Sequence, residues 1–404
     1  MVTPPRLARR GRFWVSALVL ALCLWSSGAP SVLYPSYAAL WQLTPVVITT
    51  IFGTYPVALL LALLLVGGLS DVIGRRRTML AGVALIALSA IAFSLASDVT
   101  LLYVGRALQG FGAALSIGAA SAALVESSSS SNPRFASSMT TVSTATGLTL
   151  SLLLSGALAQ YAPLPLELSY WVLALVSVVT VVLILALPDD RPHTVARWRP
   201  SAMTVPAGLR RVFAASALSV SVAYGVGALF LSLGAQMARE LTGTTDLLVV
   251  GSLLGVSSVV IGAAALLFQK LPAHTSIIAG AAISIVGLGV MELTAATGSF
   301  AAFLLWCVVG GTGYSLAFGG GLGLVNRSAP PAHRGGVLSS VYLLSYLAQA
   351  VVAVVAGALA TALGLSAAID VVVPGVIVLC LASGVLAAAD LRLRRSALAA
   401  EAQV

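Results

Sequence analysis

Charge is the property this sequence has least of. Only 8% of its 404 residues are Asp, Glu, Lys or Arg, whereas a water-soluble domain carries about 25% to keep its surface wet. Lysine is reduced to Lys270 alone and histidine to His193, His274 and His333. The three cysteines, Cys23, Cys307 and Cys380, sit in apolar runs without CxxC spacing. They read as small buried hydrophobes rather than metal or redox ligands. These shortages exclude a soluble enzyme, a disordered chain and a disulfide-stapled secreted domain, and no metal or cofactor is expected.

What fills the space is apolar: 59% of residues are hydrophobic and the mean hydropathy is +1.05. A helix crosses a bilayer in about 20 apolar residues. Runs of that length fall at 13–34, 45–69, 78–96, 100–125, 136–160 and 169–188, then at 210–238, 246–269, 275–296, 299–325, 335–362 and 366–390. The fold class is therefore all-α, with twelve transmembrane helices in two sets of six. The first run follows Arg6, Arg9, Arg10 and Arg12 and could pass for a signal peptide. With no clear cleavage site and eleven further spans, it reads as an uncleaved first helix.

The net charge of +9 has a topological origin. With the N-terminus inside, nineteen of the 21 Lys and Arg fall in segments on the cytoplasmic side; the exceptions are Arg239 and Arg106. Cytoplasmic loops carry such an excess as a rule, so both termini are expected in the cytoplasm and nucleic acid drops out as a partner. Arg-over-Lys usage in an Ala- and Gly-rich chain points to a bacterial inner (plasma) membrane.

Residues 189–209 combine charge, Pro and Gly, and form the natural linker between an N-terminal bundle (1–188) and a C-terminal bundle with its short tail (210–404). The halves echo each other at an offset near 200 residues. Gly110 and Gly112 answer Gly311 and Gly313, Glu126 answers Asn326, Arg134 answers Arg334, and Gly156 answers Gly357. Internal repeats of this kind are the plan of many transporters, whose site lies between the repeats near the membrane midplane.

Two motifs carry chemistry. Between spans 2 and 3 runs Gly67-x-Leu69-x-Asp71-x-x-Gly74-Arg75-Arg76-Arg77. Gly67 allows close helix approach, Gly74 can take a positive φ in a tight turn, and Asp71 is placed to meet the positive end of another helix. In span 4, Arg106 precedes Gln109, Gly110, Gly112 and Ala114. Gln109 shares the helical face of Arg106. An arginine inside a span is costly unless it faces a partner or cavity; the plainer reading is that it snorkels to the interface.

With these motifs, the chain resembles the major facilitator superfamily over essentially its whole length. The first motif is similar to the family's loop signature (Gly-x-Leu-Ala-Asp-Arg-x-Gly-Arg-Arg/Lys), departing at Ser70 and Val72. The resemblance implies that Asp71 caps the helix beginning near 335–337 and that Arg75 pairs with Glu126, as a lock on the outward-facing state. The copy between spans 8 and 9 has decayed to Gln269-Lys270-Leu271-Pro272. The second motif resembles the Arg-x-x-Gln-Gly-x-Gly-Ala-Ala signature of drug–proton antiporters, which implies a role for Arg106 and Gln109 in proton coupling or substrate binding. Span 5 departs from that type. Where antiporters carry Gly-Pro and Gly-Gly, this chain has Gly147, Ser151, Ser155 and Gly156 without proline, so a straight helix is expected and the direction of transport stays open.

No carboxylate falls at mid-depth. Glu126 and Asp390 lie at the cytoplasmic edge, Glu292 and Asp370 near the outer edge, and the histidines in cytoplasmic loops. The expected substrate cavity is lined by Ser26, Ser27 and Tyr34 of span 1 and by Tyr224 and Gln236 of span 7. Tyr314 of span 10 joins them, with Tyr342, Tyr346 and Gln349 as one stripe on span 11. With one cation and no deep anion, it suits a neutral or weakly anionic, fairly apolar solute. The expected function is secondary active transport of a small organic solute in exchange for protons, by a monomer in the lipid bilayer. An importer or uncoupled facilitator shares the same features. A non-transporting membrane protein or an intramembrane enzyme would leave Arg106 and the loop motif without purpose, and a deep nucleophile or acid–base pair is missing.

Overall fold

The computed structural model describes residues 6–66, 69–129, 133–189 and 205–401. Twelve of its helices are long and apolar enough to cross a membrane. The first half comprises α1 (Arg6–Trp41), α2 (Pro45–Val66), the short α3 (Leu69–Ile73), α4 (Arg75–Ser94), α5 (Val99–Ser127), α6 (Pro133–Tyr161) and α7 (Leu168–Leu185). The second comprises α8 (Arg210–Thr242), α9 (Leu247–Leu267), α10 (Ala273–Thr297), α11 (Phe300–Ser328), α12 (Pro331–Leu363) and α13 (Leu365–Glu401). Most of the expected linker, 190–204, lies outside the described residues, as does Gly67.

Helix starts follow local chemistry. Asp98 accepts hydrogen bonds from the N–H groups of Thr100 and Leu101 at the start of α5, and Asp246 does the same for Leu248 and Val249 at α9. Both satisfy donors that the first helical turn leaves open. Exposed Leu and Val along outer helices, such as Leu175, Val178 and Val182 of α7, form the apolar coat that a bilayer requires.

Three departures from the sequence expectation have physical reasons. Helix α1 contains Pro30 and continues through Pro35 to Trp41, seven residues past 34; at Pro30 a neighbouring helix supplies a replacement hydrogen bond, from Gln109 to Ser26 O. Helix α12 starts at Pro331 rather than near 335, since proline suits the first helical position. His274 lies in the first turn of α10, buried, and not in a loop: its Nε2 is 2.8 Å from Asp390 Oδ2 of α13. Arg394 donates to the same carboxylate oxygen at 2.8 Å. Asp390 is thereby a clasp between α10 and α13 rather than a free acid at the rim. His333 is exposed in the first turn of α12, and His193 lies outside the described residues.

The repeat seen in the sequence is realised in the packing. A Cβ on Gly110 would lie 2.5 Å from Tyr55 O of α2, and one on Gly112 would lie 2.7 Å from Gly82 O of α4. Their echoes Gly311 and Gly313 meet Ser257 of α9 and Ser284 of α10 in the same way. Spans 2 and 3 of each half are thus seated on span 4 of that half by the same pair of glycines.

Between the halves the pairing is also symmetric. Gly156 of α6 abuts Leu247 of α9, and its echo Gly357 of α12 abuts Thr49 of α2, leaving no room for a Cβ in either place. These contacts lie toward the face opposite the two termini. Cross-half hydrogen bonds there run from Val46 N to Thr361 Oγ1 (2.9 Å) and from Leu247 N to Gln160 Oε1 (2.9 Å). Helix α6 runs over Pro133–Tyr161 with no interior proline, and Gly147 lets α1 approach so closely that a Cβ would sit 1.9 Å from Ala21 O.

Candidate functional site

The site starts from Pro30 inside α1. Pro30 has no N–H, so the carbonyl of Ser26, four residues earlier, has no partner inside its own helix. A buried carbonyl left unpaired in this way is costly. Gln109 of α5 supplies the missing donor: its Nε2 lies 2.9 Å from Ser26 O. Arg106, one turn before it, donates from Nη1 to Ser27 O and to Gln109 Oε1, both at 3.0 Å. Tyr34, one turn beyond Pro30, accepts from Arg106 Nε at 2.9 Å and also from Nη2. Arg106 therefore clamps α1 on both sides of Pro30.

Arg106 and Gln109 are both 0% exposed, which excludes the snorkelling reading. The guanidinium sits 5.6 Å from the ring centre of Tyr34, 5.5 Å from that of Phe52 and 5.6 Å from that of Tyr55. Each such contact is worth about 0.5–2 kcal/mol. None of its partners is a carboxylate: the charge is stabilised by carbonyl dipoles, a phenol and three aromatic faces.

Ser26 and Ser27 belong to this site, though not by the side chains that the sequence suggested. Their carbonyls hold the clamp, and the Ser26 hydroxyl turns back to Cys23 O at 2.8 Å.

The second half contributes an aromatic shelf. Tyr224 of α8 lies 4.8 Å from Tyr346 of α12 between ring centres. Phe318 of α11 bridges Tyr224 and Tyr314 at 5.8 and 6.0 Å, and Tyr342 lies 6.2 Å from Tyr346. Tyr346 also packs against the first-half cluster that contains Tyr55 and Leu59. Tyr55 thus has Arg106 on its ring and the tyrosine shelf beside it, and it joins the two sets of residues. Sequence reading missed Tyr55, Phe52, Phe318 and Pro30. Only Pro30 left a signal, by standing four residues after Ser26 inside an apolar span.

Gln236 does not reach this shelf. Its Nε2 donates to Glu240 Oε1 at 2.7 Å, in a cavity of about 330 Å³ on the face opposite the termini. That cavity lies between α1, α2 and α8, with Tyr34, Gln236, Arg239 and Glu240 among its walls. The distance from the shelf follows from helix rise: Gln236 is twelve residues beyond Tyr224 on α8, about 18 Å along the axis.

At the loop between α2 and α4, Gly74 has φ 93°, a conformation that favours glycine. Arg75 Nη2 lies 3.4 Å from Glu126 Oε1, and its Nη1 donates to Ser70 Oγ. The side chain of Asp71 lies outside what the structure describes.

Comparison with known proteins agrees with this architecture. The family model described as Major Facilitator Superfamily matches residues 16–353. No curated protein sequence matches the chain. Among solved structures, a bacterial homolog of the human lysosomal transporter Spinster, inward-facing and unoccupied, superposes with a TM-score of 0.74 at 14% identity, covering 96% of this chain and 98% of that one. A point mutant of the nucleoside transporter NupG gives 0.75 at 11% identity, covering 94% and 99%. At these identities the likeness establishes the fold. A family match over most of the length, on twelve spanning helices in two related halves, places the chain in the Major Facilitator Superfamily.

Proposed function

We propose that this transporter of small solutes works by alternating access as a proton-coupled exporter of a small organic compound. The observation that carries the reading is the clamp of Arg106 and Gln109 on α1 around Pro30, at the wall shared with the tyrosine shelf. A solute on the shelf would press on Tyr55, and through it on the one charged group that braces α1. The cross-half contacts on the face opposite the termini support a state open toward the terminal side. The arginine excess on that side supports a cytoplasmic assignment for it. We assign Gly67, Asp71, Gly74, Arg75 and Glu126 to a gate on the cytoplasmic side; the Arg75–Glu126 approach of 3.4 Å supports that assignment.

An uncoupled facilitator or importer is the second reading. It is favoured by one observation: no carboxylate pairs with Arg106 among the described residues.

Proton flux in reconstituted vesicles under an imposed pH gradient separates the two. Coupled export predicts proton movement triggered by solute and reduced at least about ten-fold in Arg106→Lys, because an ammonium offers three donors where the guanidinium offers five in a fixed plane. Solute movement with no accompanying proton would establish the facilitator instead.

A further inference from the structure

The shelf has a chemistry of its own that the transport reading leaves unspecified. It places four phenols on α8, α11 and α12. One turn beyond Tyr346, on the same side of α12, stands Gln349, 9% exposed. Its Oε1 is buried with no hydrogen-bond partner among the described residues. A buried amide oxygen normally finds a donor, and leaving it empty carries a desolvation cost that nothing else in the chain offsets.

Ring orientation adds a second constraint. The planes of Tyr224 and Phe318 differ by 14°, those of Tyr314 and Phe318 by 20°, and those of Tyr342 and Tyr346 by 28°, while Tyr224 and Tyr346 are tilted by 54°, so the shelf holds two sets of nearly parallel rings set at an angle. Nearly parallel rings present faces for a flat guest. Charge is the third. None of the shelf residues is ionic, and Arg106 lies behind Tyr55 with its donors committed to Tyr34, Ser27 and Gln109. An ion would arrive without a counter-charge in a low-dielectric site.

We infer that the shelf binds an uncharged, planar, ring-bearing compound that donates one N–H or O–H to Gln349 Oε1. The inference rests on the reading of this chain as a transporter of small organic solutes, and it names their class. The solute stacks on the tyrosines and its donor fills the empty acceptor, while phenolic hydroxyls take up its remaining polar atoms.

The test uses the purified full-length protein and isothermal titration calorimetry with four probes: 2-quinolone, N-methyl-2-quinolone, benzoate and tetraphenylphosphonium. The first two differ only in the N–H. The expected result is that 2-quinolone binds at least about five-fold more tightly than its N-methyl analogue. Gln349→Met, close in shape but lacking the amide, should bring that ratio to about one; Tyr346→Leu should weaken both quinolones alike and leave the ratio unchanged. Gln349→Leu is the second variant should Gln349→Met not fold. Equal affinity for the two quinolones in the unmodified protein would overturn the inference, as would a ratio unaltered by removal of the amide. Tighter binding of benzoate or tetraphenylphosphonium would do the same. Vesicle flux separates the two levels: solute-driven flux with compounds other than neutral planar donors overturns this inference alone, whereas quinolone binding without any flux overturns the transport reading alone.

Discussion

Pro30 and Arg106 account for each other. A proline inside a spanning helix removes one N–H, exposing a carbonyl at a depth where no water can pair with it. An arginine at that depth needs acceptors for its five donors. The structure solves both problems with one contact set, in which α5 supplies donors and α1 supplies acceptors. Tyr34 is the acceptor that this logic makes most vulnerable, since its hydroxyl receives two of the guanidinium N–H groups. Tyr34→Phe keeps the ring and removes only that acceptor. It should destabilise the protein by about 1.5–3 kcal/mol, the range for a hydrogen bond to a charged group. Thermal unfolding in detergent reads this directly, and an unchanged midpoint would mean that Arg106 finds another acceptor.

Among the helices, glycine position decides what moves and what does not. Gly110, Gly112, Gly311 and Gly313 seat helices within a half, whereas Gly156 and Gly357 close the seam between halves. The two classes therefore predict different phenotypes. A side chain at Gly110 meets the α2 backbone inside one bundle, where overpacking costs about 1–3 kcal/mol or more. At Gly357 a Cβ would lie 1.9 Å from Thr49 Oγ1 across the seam, and the halves can relieve that clash by staying apart. Gly156→Val and Gly357→Val should each leave expression and folding near normal yet lower transport at least about ten-fold. Distance measurements between spin labels on α2 and α12 should show the two helices held apart. Loss of folded protein in these two variants, with Gly110→Val tolerated, would reverse the assignment.

For the whole molecule, the arginines on the terminal face do more than set orientation. Arg9 donates to the carbonyls of Ser127 and Ser128 at the end of α5, Arg76 to those of Ile184 and Leu185 at the end of α7, and Arg334 to Ala329 O just past α11. Cations at helix C-termini meet both unpaired carbonyls and the negative end of the helix dipole. One surface of the protein is thereby crosslinked by charge. With all three native cysteines buried, Thr245→Cys should react with a membrane-impermeant maleimide in intact cells. Ser396→Cys should react only after permeabilisation. The reverse labelling pattern would invert the topology and with it the expected direction of export.

Twelve spans, the orientation bias and the two-fold repeat were legible in the sequence because each is a one-dimensional consequence of the bilayer. Its thickness sets the length of an apolar run, its surface sorts arginine by loop, and a duplicated plan leaves glycines at matching offsets. Arg106, Gln109 and the tyrosine stripe on α12 were legible for a related reason: polar groups at mid-span stand out against an apolar background. The partners were not. Whether Ser26 acts through its hydroxyl or its carbonyl depends on the path of α1 around Pro30. Whether Gln236 joins Tyr224 or Glu240 depends on depth along α8, and Tyr55 links the two halves only because α12 crosses α2 beside it. Such choices are settled by the rotation of each helix about its axis and by packing between residues far apart in the chain. Local hydropathy holds no record of either, and only the tertiary structure decided them.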